Sequence, residues 1–130
     1  MTRRLLLLLT LMAGTIFAEN RVFELRTYVC NEGKLDALKA RFRDHTIRIF
    51  ARHGMESIGY WIPQDPAESK TTLIYIVAHK SREQATKNWA EFRADPEWQK
   101  VAADSEKNGK ILASSPTSKF MDPADFSQIK

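Results

Sequence analysis

The pattern of apolar and polar residues along the chain predicts alternating strands and helices. Between residues 21 and 30, every second side chain shares one character, which is the period of a strand. From residue 34 to 53 the apolar positions recur every three or four residues, which is the period of a helix. The predicted buried stripe of this helix is Leu35, Leu38, Phe42, His45 and Ile49, and its arginines, Arg41 among them, are assigned to the solvated face.

Three more strands are predicted after this helix. They cover residues 56–63, 71–79 and 117–121, and a second helical segment separates the last two of them. The resulting order is strand, helix, strand, strand, helix, strand. It predicts an α+β fold of the ferredoxin-like kind, which is a four-stranded antiparallel sheet with its helices on one face.

The second helical segment carries two N-terminal signals. Ser81 and Gln84 predict a capping box, in which each side chain bonds the backbone amide of the other residue. Asp95 and Pro96 predict the end of that helix and the start of a short third one, because Asp is a good N-cap and Pro fits the first turn.

The two faces of the predicted sheet are both rich in large side chains. If Phe23 and Leu25 pack under the helices, the alternating residues of the first strand face the other way. That second face then carries Tyr28, Tyr75 and either Trp61 or Tyr60, which is too much aromatic surface to leave in water. A second copy packed sheet against sheet is the simplest cover, so we expect a homodimer.

The N-terminal 18 residues predict an export signal. Arg3 and Arg4 precede an apolar run and a small residue at the expected cleavage position. Removing residues 1–18 from 130 leaves residues 19–130 as a single domain, expected in the periplasm or outside the cell. The apolar run is too short for a bilayer, so we expect no membrane span in the mature chain.

Charge and cysteine content exclude several classes of protein. Without the signal the net charge falls from +4 to +2, which argues against a nucleic-acid-binding protein. Cys30 is the single cysteine, so an intramolecular disulfide is excluded, and we expect either a buried thiol or a bridge between two chains. The sequence lacks the His and Cys spacings of metal sites and the loops that bind phosphates, so we predict no metal site and no cofactor.

A set of short segments in a fixed order resembles the NIPSNAP domain family. They are residues 23–28, 33–34, 53–54, 58–61, 78–81, 95–98, 120–123 and 125–127. One departure is that the third strand carries Val77 and His79, where the family often has Trp and Tyr. The resemblance implies a dimeric α+β barrel, a superfamily that includes cofactor-independent monooxygenases and haem-degrading enzymes, and it implies no particular activity.

Six side chains are candidates for lining a ligand cavity between the two sheets of the dimer. Arg26 can bind a ligand carboxylate with two parallel hydrogen bonds, or it can pair internally with Glu24. His79 is a candidate base or metal ligand, with a structural role at the strand end as the alternative. His45 is a haem ligand only if it turns toward the cavity, and a residue at the edge of the core otherwise. The six are Glu24, Arg26, Tyr28, Trp61, Tyr75 and His79.

Three functions are compatible with this sequence. The leading hypothesis is an exported homodimer that binds a small, largely apolar ligand between its sheets. The second is oxygenation or haem breakdown, with His79 or His45 assisting. The third is a protein-interaction module without catalysis, whose cavity is filled by its own side chains. The sequence does not decide whether the protein is an enzyme.

Overall fold

The computed structural model describes residues 20–130. Within this range, none of the helices combines the length and the apolar character that crossing a bilayer requires. The predicted export signal lies outside the described residues and stays a prediction.

Four antiparallel strands form one sheet with the spatial order β2-β3-β1-β4. β1 pairs with β3 along its whole length and with β4 on its other side, so β1 and β3 form the centre of the sheet. This arrangement confirms the predicted ferredoxin-like α+β fold. The strands are β1 (Val22–Val29), β2 (Glu56–Trp61), β3 (Thr72–His79) and β4 (Thr117–Met121).

Within residues 20–130, four α-helices and one π-helical turn accompany the sheet. α1 (Leu35–Arg41) and α2 (Ile47–Arg52) are joined without a break by a π-helical turn, Phe42–Thr46, which we call the π turn. α3 (Arg82–Ala94) is followed after one residue by α4 (Pro96–Ser105). The extent of the long first helix is therefore confirmed, whereas its regular period is not.

The predicted helix caps are confirmed, with one exception. Ser81 caps α3, because its hydroxyl accepts a hydrogen bond from the backbone N–H of Gln84 at 2.9 Å. The Gln84 side chain does not return this bond, since it donates to Asn88 Oδ1 at 2.8 Å, so the reciprocal half of the capping box is wrong. Asp95 caps α4 by accepting from the backbone N–H of Glu97 at 2.8 Å.

The π turn shifts the buried stripe of the first helix by one residue. An uninterrupted α-helix would place His45 on the core side, but the wider turn exposes His45 and buries Thr46. The Thr46 hydroxyl donates to the backbone oxygen of Arg41 at 3.2 Å, and Arg41 is also buried. The predicted position of His45 is wrong, because apolar periodicity assumes a constant number of residues per turn. The predicted position of Arg41 is also wrong, because residues of α4 cover its side chain at the edge of the buried stripe.

The core between sheet and helices is built largely from aromatic rings. Tyr75 is fully buried, and its ring stacks on Tyr60 with centroids 5.2 Å apart. Phe42 of the π turn and Phe50 of α2 pack against Tyr75 from the helix side, at 5.2 and 6.0 Å. These contacts bring Tyr75 and Tyr60 under the helices.

The helices cover the opposite face of the sheet from the one that was predicted. Tyr28 and Tyr75 both contact Phe42 under the helices, whereas the alternating residues Leu25 and Ile76 lie on the other side of the sheet. We call that side the open face, because no helix of the described chain covers it. Alternation determines which residues share a face and leaves undetermined which face is covered when both carry large apolar side chains.

Candidate functional site

Five of the six candidate side chains meet under the helices. Antiparallel pairing places Arg26 opposite Tyr75 and brings β1 and the end of β3 together, so the five form one continuous cluster. The expectation that they lie between two sheets is wrong, and a role in binding a ligand stays a prediction. The five are Glu24, Arg26, Tyr28, Tyr75 and His79, and the sixth, Trp61, lies on the open face.

The carboxylate of Glu24 is the centre of this cluster and is only 1% exposed. Its Oε1 accepts hydrogen bonds from Trp89 Nε1 at 2.6 Å and from His79 Nε2 at 2.9 Å. Its Oε2 accepts from Ser118 Oγ at 2.6 Å and from Arg26 Nη1 at 3.3 Å. A carboxylate has about four acceptor positions, so Glu24 has none left for a ligand.

The protonation state of Glu24 is set by these partners. Burial by itself raises the pKa of Glu24, because desolvation disfavours the anion. The hydrogen bonds from His79, Ser118 and Trp89 and the charge of Arg26 outweigh burial and lower the pKa from 4.5 to about 2. Glu24 is therefore an anion at neutral pH and does not serve as a proton donor there.

His79 is fully buried, and both of its ring nitrogens are engaged. Nε2 lies 2.9 Å from Glu24 Oε1, and Nδ1 lies 3.1 Å from the amide nitrogen of Asn88. Since an amide nitrogen can only donate, Nδ1 accepts and the proton of neutral His79 is on Nε2. A general base needs a free lone pair toward its substrate, and that of His79 is occupied by Asn88. The geometry supports the structural alternative for His79.

Arg26 connects this carboxylate to the two buried tyrosines. Its guanidinium lies 4.4 Å from the Trp89 ring centroid, and its Nη2 donates to Tyr28 Oη at 3.5 Å. Tyr75 Oη donates to the same Tyr28 oxygen at 3.1 Å. The 3.3 Å contact between Arg26 and Glu24 is the internal pair that the sequence offered as an alternative to ligand binding.

A groove of about 610 Å³ runs between the first helix and α4. We call it the Arg41 groove, because Arg41 lies at its base with only 6% of its side chain exposed. Three of its lining residues are small and apolar, Ala37 and Ala40 from α1 and Val101 from α4, and the others are polar or charged. Sequence reasoning missed Arg41, since the period of the first helix contains no information on the packing of α4 over it.

An ionic cluster fixes the start of α4 and so one wall of this groove. Asp95 Oδ2 lies 2.6 Å from both Arg52 Nη2 and His53 Nε2, while its Oδ1 caps α4. Hydrogen bonds from Arg52 and His53 hold the pKa of Asp95 well below its usual range. The cluster joins the end of α2 to the start of α4 and positions the two helices around the groove.

The open face carries the sixth candidate, Trp61, which is 51% exposed. Its ring folds back over Gly59, where an added Cβ would lie 2.5 Å from a ring carbon. Residues 122–130 lie over another part of this face and leave a notch of about 380 Å³, which we call the tail notch. The apolar side chains that line it include Phe23, Ile58, Ile76, Met121, Phe126 and Ile129.

The remaining candidates do not form a reactive centre. In residues 20–130, no group of three or more His, Cys, Asp or Glu side chains is arranged to hold a metal ion. His45 is exposed on the outside of the π turn. Cys30 is a free, buried thiol, and burial raises its pKa, which disfavours the reactive thiolate.

The sequence and the fold are both similar to those of known proteins. A sequence model of the NIPSNAP family matches residues 23–128. A NIPSNAP family protein of unknown function from Agrobacterium tumefaciens is 24% identical, with a TM-score of 0.71 over 85% of this chain and 95% of that one. An uncharacterized NIPSNAP domain protein from Burkholderia xenovorans is 21% identical, with a TM-score of 0.67 over 82% and 97% of the two chains.

A more distant structural relative is a monooxygenase, from the gene ActVA-Orf6 of Streptomyces coelicolor, in complex with the ligand Nanaomycin D. It is 15% identical, with a TM-score of 0.59 over 85% of this chain and 94% of that one. At this identity the likeness establishes a shared fold. No curated protein matches this chain significantly.

Proposed function

Because the chain belongs to the NIPSNAP family, we propose that it acts as a homodimer that binds a small apolar ligand between its two sheets. The ligand occupies the tail notch, and the open face of the second copy closes over it. The observation that carries this proposal is the apolar tail notch on a sheet face that no helix of the described chain covers.

The size and the lining of the tail notch support ligand binding. Its volume of about 380 Å³ falls in the range of small-molecule pockets, which runs from roughly 300 to 1,000 Å³. Phe126 lines the notch and yet is 87% exposed, so its ring is free to pack against a molecule lying there. Two polar residues, Asp122 and Ser127, also line the notch, and their hydrogen-bonding groups can orient a ligand.

The exposed part of the open face supports the proposal that a second copy packs against it. Trp61 is half exposed on a surface that also carries Ile74 and Leu25, and a contiguous apolar patch of this kind usually marks an interface. A two-fold axis would cover the same patch on both copies at once. The monooxygenase that shares the fold is in complex with the ligand Nanaomycin D, which is consistent with a ligand here.

Binding to the tail notch is tested with Nile red, whose fluorescence rises in apolar surroundings. Phe126→Ala removes a notch side chain that contributes little to the core, and we expect it to weaken dye binding by about threefold or more. Val29→Ala is the matched control, because Val29 is an exposed apolar residue of β1 outside the notch lining. Equal dye binding by Phe126→Ala and the wild type contradicts the notch as the site.

Dimer formation is tested by native mass spectrometry and sedimentation equilibrium. We expect the wild-type protein to have twice the subunit mass and Trp61→Glu to have the mass of one subunit. Ile47→Glu is the control, because Ile47 is a similarly exposed apolar residue on the helix side. A folded wild-type monomer at about 10 μM contradicts the proposed assembly.

Export is a further part of the proposal, and it rests on the N-terminal sequence. We expect expression of the full chain in a bacterium to give a mature protein in the periplasm, starting near Glu19. N-terminal sequencing of the purified protein measures this. A product that keeps residues 1–18 and stays in the cytoplasm contradicts export.

A further inference from the structure

We propose that the Arg41 groove is a second binding site, separate from the tail notch, and that it takes a small monocarboxylate through the guanidinium of Arg41. The groove lies on the helix side of the molecule, whereas the proposed dimer and the tail notch use the open face. The inference therefore goes beyond the proposed function and does not depend on it.

Arg41 is the last residue of α1, immediately before the π turn. It lies three residues after Leu38, at the edge of the buried stripe, and residues of α4 cover its side chain. The Thr46 hydroxyl stabilises the π turn by donating to the Arg41 carbonyl at 3.2 Å. Since π turns are rare and often accompany functional sites, a buried arginine directly before one points to a role beyond packing.

The buried charge of Arg41 is poorly compensated by the protein. A guanidinium has five N–H donors, and here Nη1 donates to Ser105 Oγ at 3.2 Å. The carboxylate of Glu106 is 4.0 Å away, which is too long for a hydrogen bond, and Nε has no acceptor among the described residues. A buried cation is normally paired, so Arg41 is suited to accept an anion from outside.

The charges around the groove select the kind of anion. The other arginine and the lysine that line it are already paired, Arg48 with Glu97 and Lys100 with Asp104. Asp44, also on the rim, carries a negative charge that opposes an anion, so a single negative charge is favoured over a phosphate dianion. A carboxylate also fits the planar fork of a guanidinium with two parallel hydrogen bonds.

The lining of the Arg41 groove determines what the uncharged part of the ligand is. Ala37 and Ala40 on one wall and Val101 on the other leave an apolar surface beside Arg41. The centroid of the Trp98 ring lies 5.2 Å from the Arg41 guanidinium. A carboxylate attached to a short alkyl chain or a single aromatic ring matches this combination, because its charge meets Arg41 and its body meets the alanines.

The test is calorimetric titration of the mature protein, residues 19–130, with benzoate, with hexanoate and with inorganic phosphate. We expect both carboxylates to bind, and phosphate to bind at least about tenfold more weakly. Arg41→Met should reduce carboxylate affinity by about tenfold or more, whereas Arg43→Met, at an exposed neighbouring position outside the groove lining, should not change it. The absence of carboxylate binding up to about 10 mM, or equal binding by Arg41→Met, overturns the proposal.

A second measurement keeps the proposal testable if Arg41→Met does not fold. Asp44 is an exposed carboxylate on the rim of the groove, and Asp44→Asn removes a charge that repels the ligand. We expect it to strengthen benzoate binding about twofold, and we expect the Arg41 Nε–H resonance of the wild type to shift during the titration. A resonance that does not move while benzoate binds elsewhere overturns the assignment to Arg41.

Discussion

Neighbouring residues of β3 lie on opposite faces of the sheet and meet very different surroundings. Tyr75 is fully buried and packs against the rings of Tyr60 and Phe42. Ile76, the next residue, is only half-buried on the open face. The same contrast holds on β1, where Glu24 is almost completely buried and Leu25 beside it is not.

This comparison reverses the usual association of apolar residues with the interior. Glu24 and His79 are buried because Trp89 and Asn88 of α3 satisfy their hydrogen bonds. Ile76 and its neighbours stay accessible because no helix of the described chain covers them. A residue is therefore buried where partners exist for it, and polarity alone is a poor guide when both faces are partly apolar.

The contrast between the two faces is tested most strongly at Tyr75 and Ile76. We expect Tyr75→Ala to lower the free energy of unfolding by about 3–5 kcal/mol, because it leaves a cavity in the aromatic core. Ile76→Ala should lower the free energy of unfolding by less than half as much, at protein concentrations where the subunits are separate. Urea unfolding of both variants measures the difference, and equal losses would contradict the assignment of the faces.

A second prediction concerns the buried charge of Glu24. Glu24→Gln leaves Arg26 partly buried without its anion, and we expect a loss of about 3 kcal/mol in the free energy of unfolding. Ser118→Ala is the control, since it removes one hydrogen bond of the same carboxylate and should cost only about 1 kcal/mol. Urea unfolding at neutral pH measures both variants. A Glu24→Gln protein as stable as the wild type would show that the cluster contributes little.

Acid unfolding measures how much the charge of Glu24 contributes to stability, apart from the packing of its side chain. Because folding lowers its pKa from 4.5 to about 2, its contribution is complete above pH 4.5 and is lost as the pH falls toward 2. This shift corresponds to about 3 kcal/mol of stability at neutral pH. We expect the wild-type stability to fall more steeply over this range than that of Glu24→Gln, as measured by urea unfolding at several pH values. Parallel pH profiles of the two proteins would contradict the low pKa of Glu24.

The smallest expected effect concerns the π turn on the helix side. Thr46→Val removes the hydrogen bond to the Arg41 carbonyl and should cost about 1 kcal/mol in thermal or urea unfolding. Thr86→Val, at an exposed position of α3, is the matched control and should change stability by less than about 0.5 kcal/mol. An equal effect of the two variants would mean that this bond does not stabilise the turn.

Most of the fold could be predicted because its signals are local. The alternation in β1, the Ser81 and Asp95 caps and the extent of the first helix are all written in residues close together along the chain. For the candidate site, the sequence predicted that these side chains lie together but did not predict where in the fold they lie. Five of its residues form one cluster as expected from their shared face, but the cluster lies under the helices and includes Trp89 and Asn88, which periodicity assigns no polar role.

The sequence by itself determined the order of strands and helices, the family resemblance and the two sets of side chains that each sheet face carries. Only the tertiary structure decided which set is covered and which helical residues turn inward. The physical reason is that the hydrogen-bond partners of Glu24, and the α4 side chains that cover Arg41, come from packing between elements. Strand and helix periods describe one element at a time, so they do not contain this information.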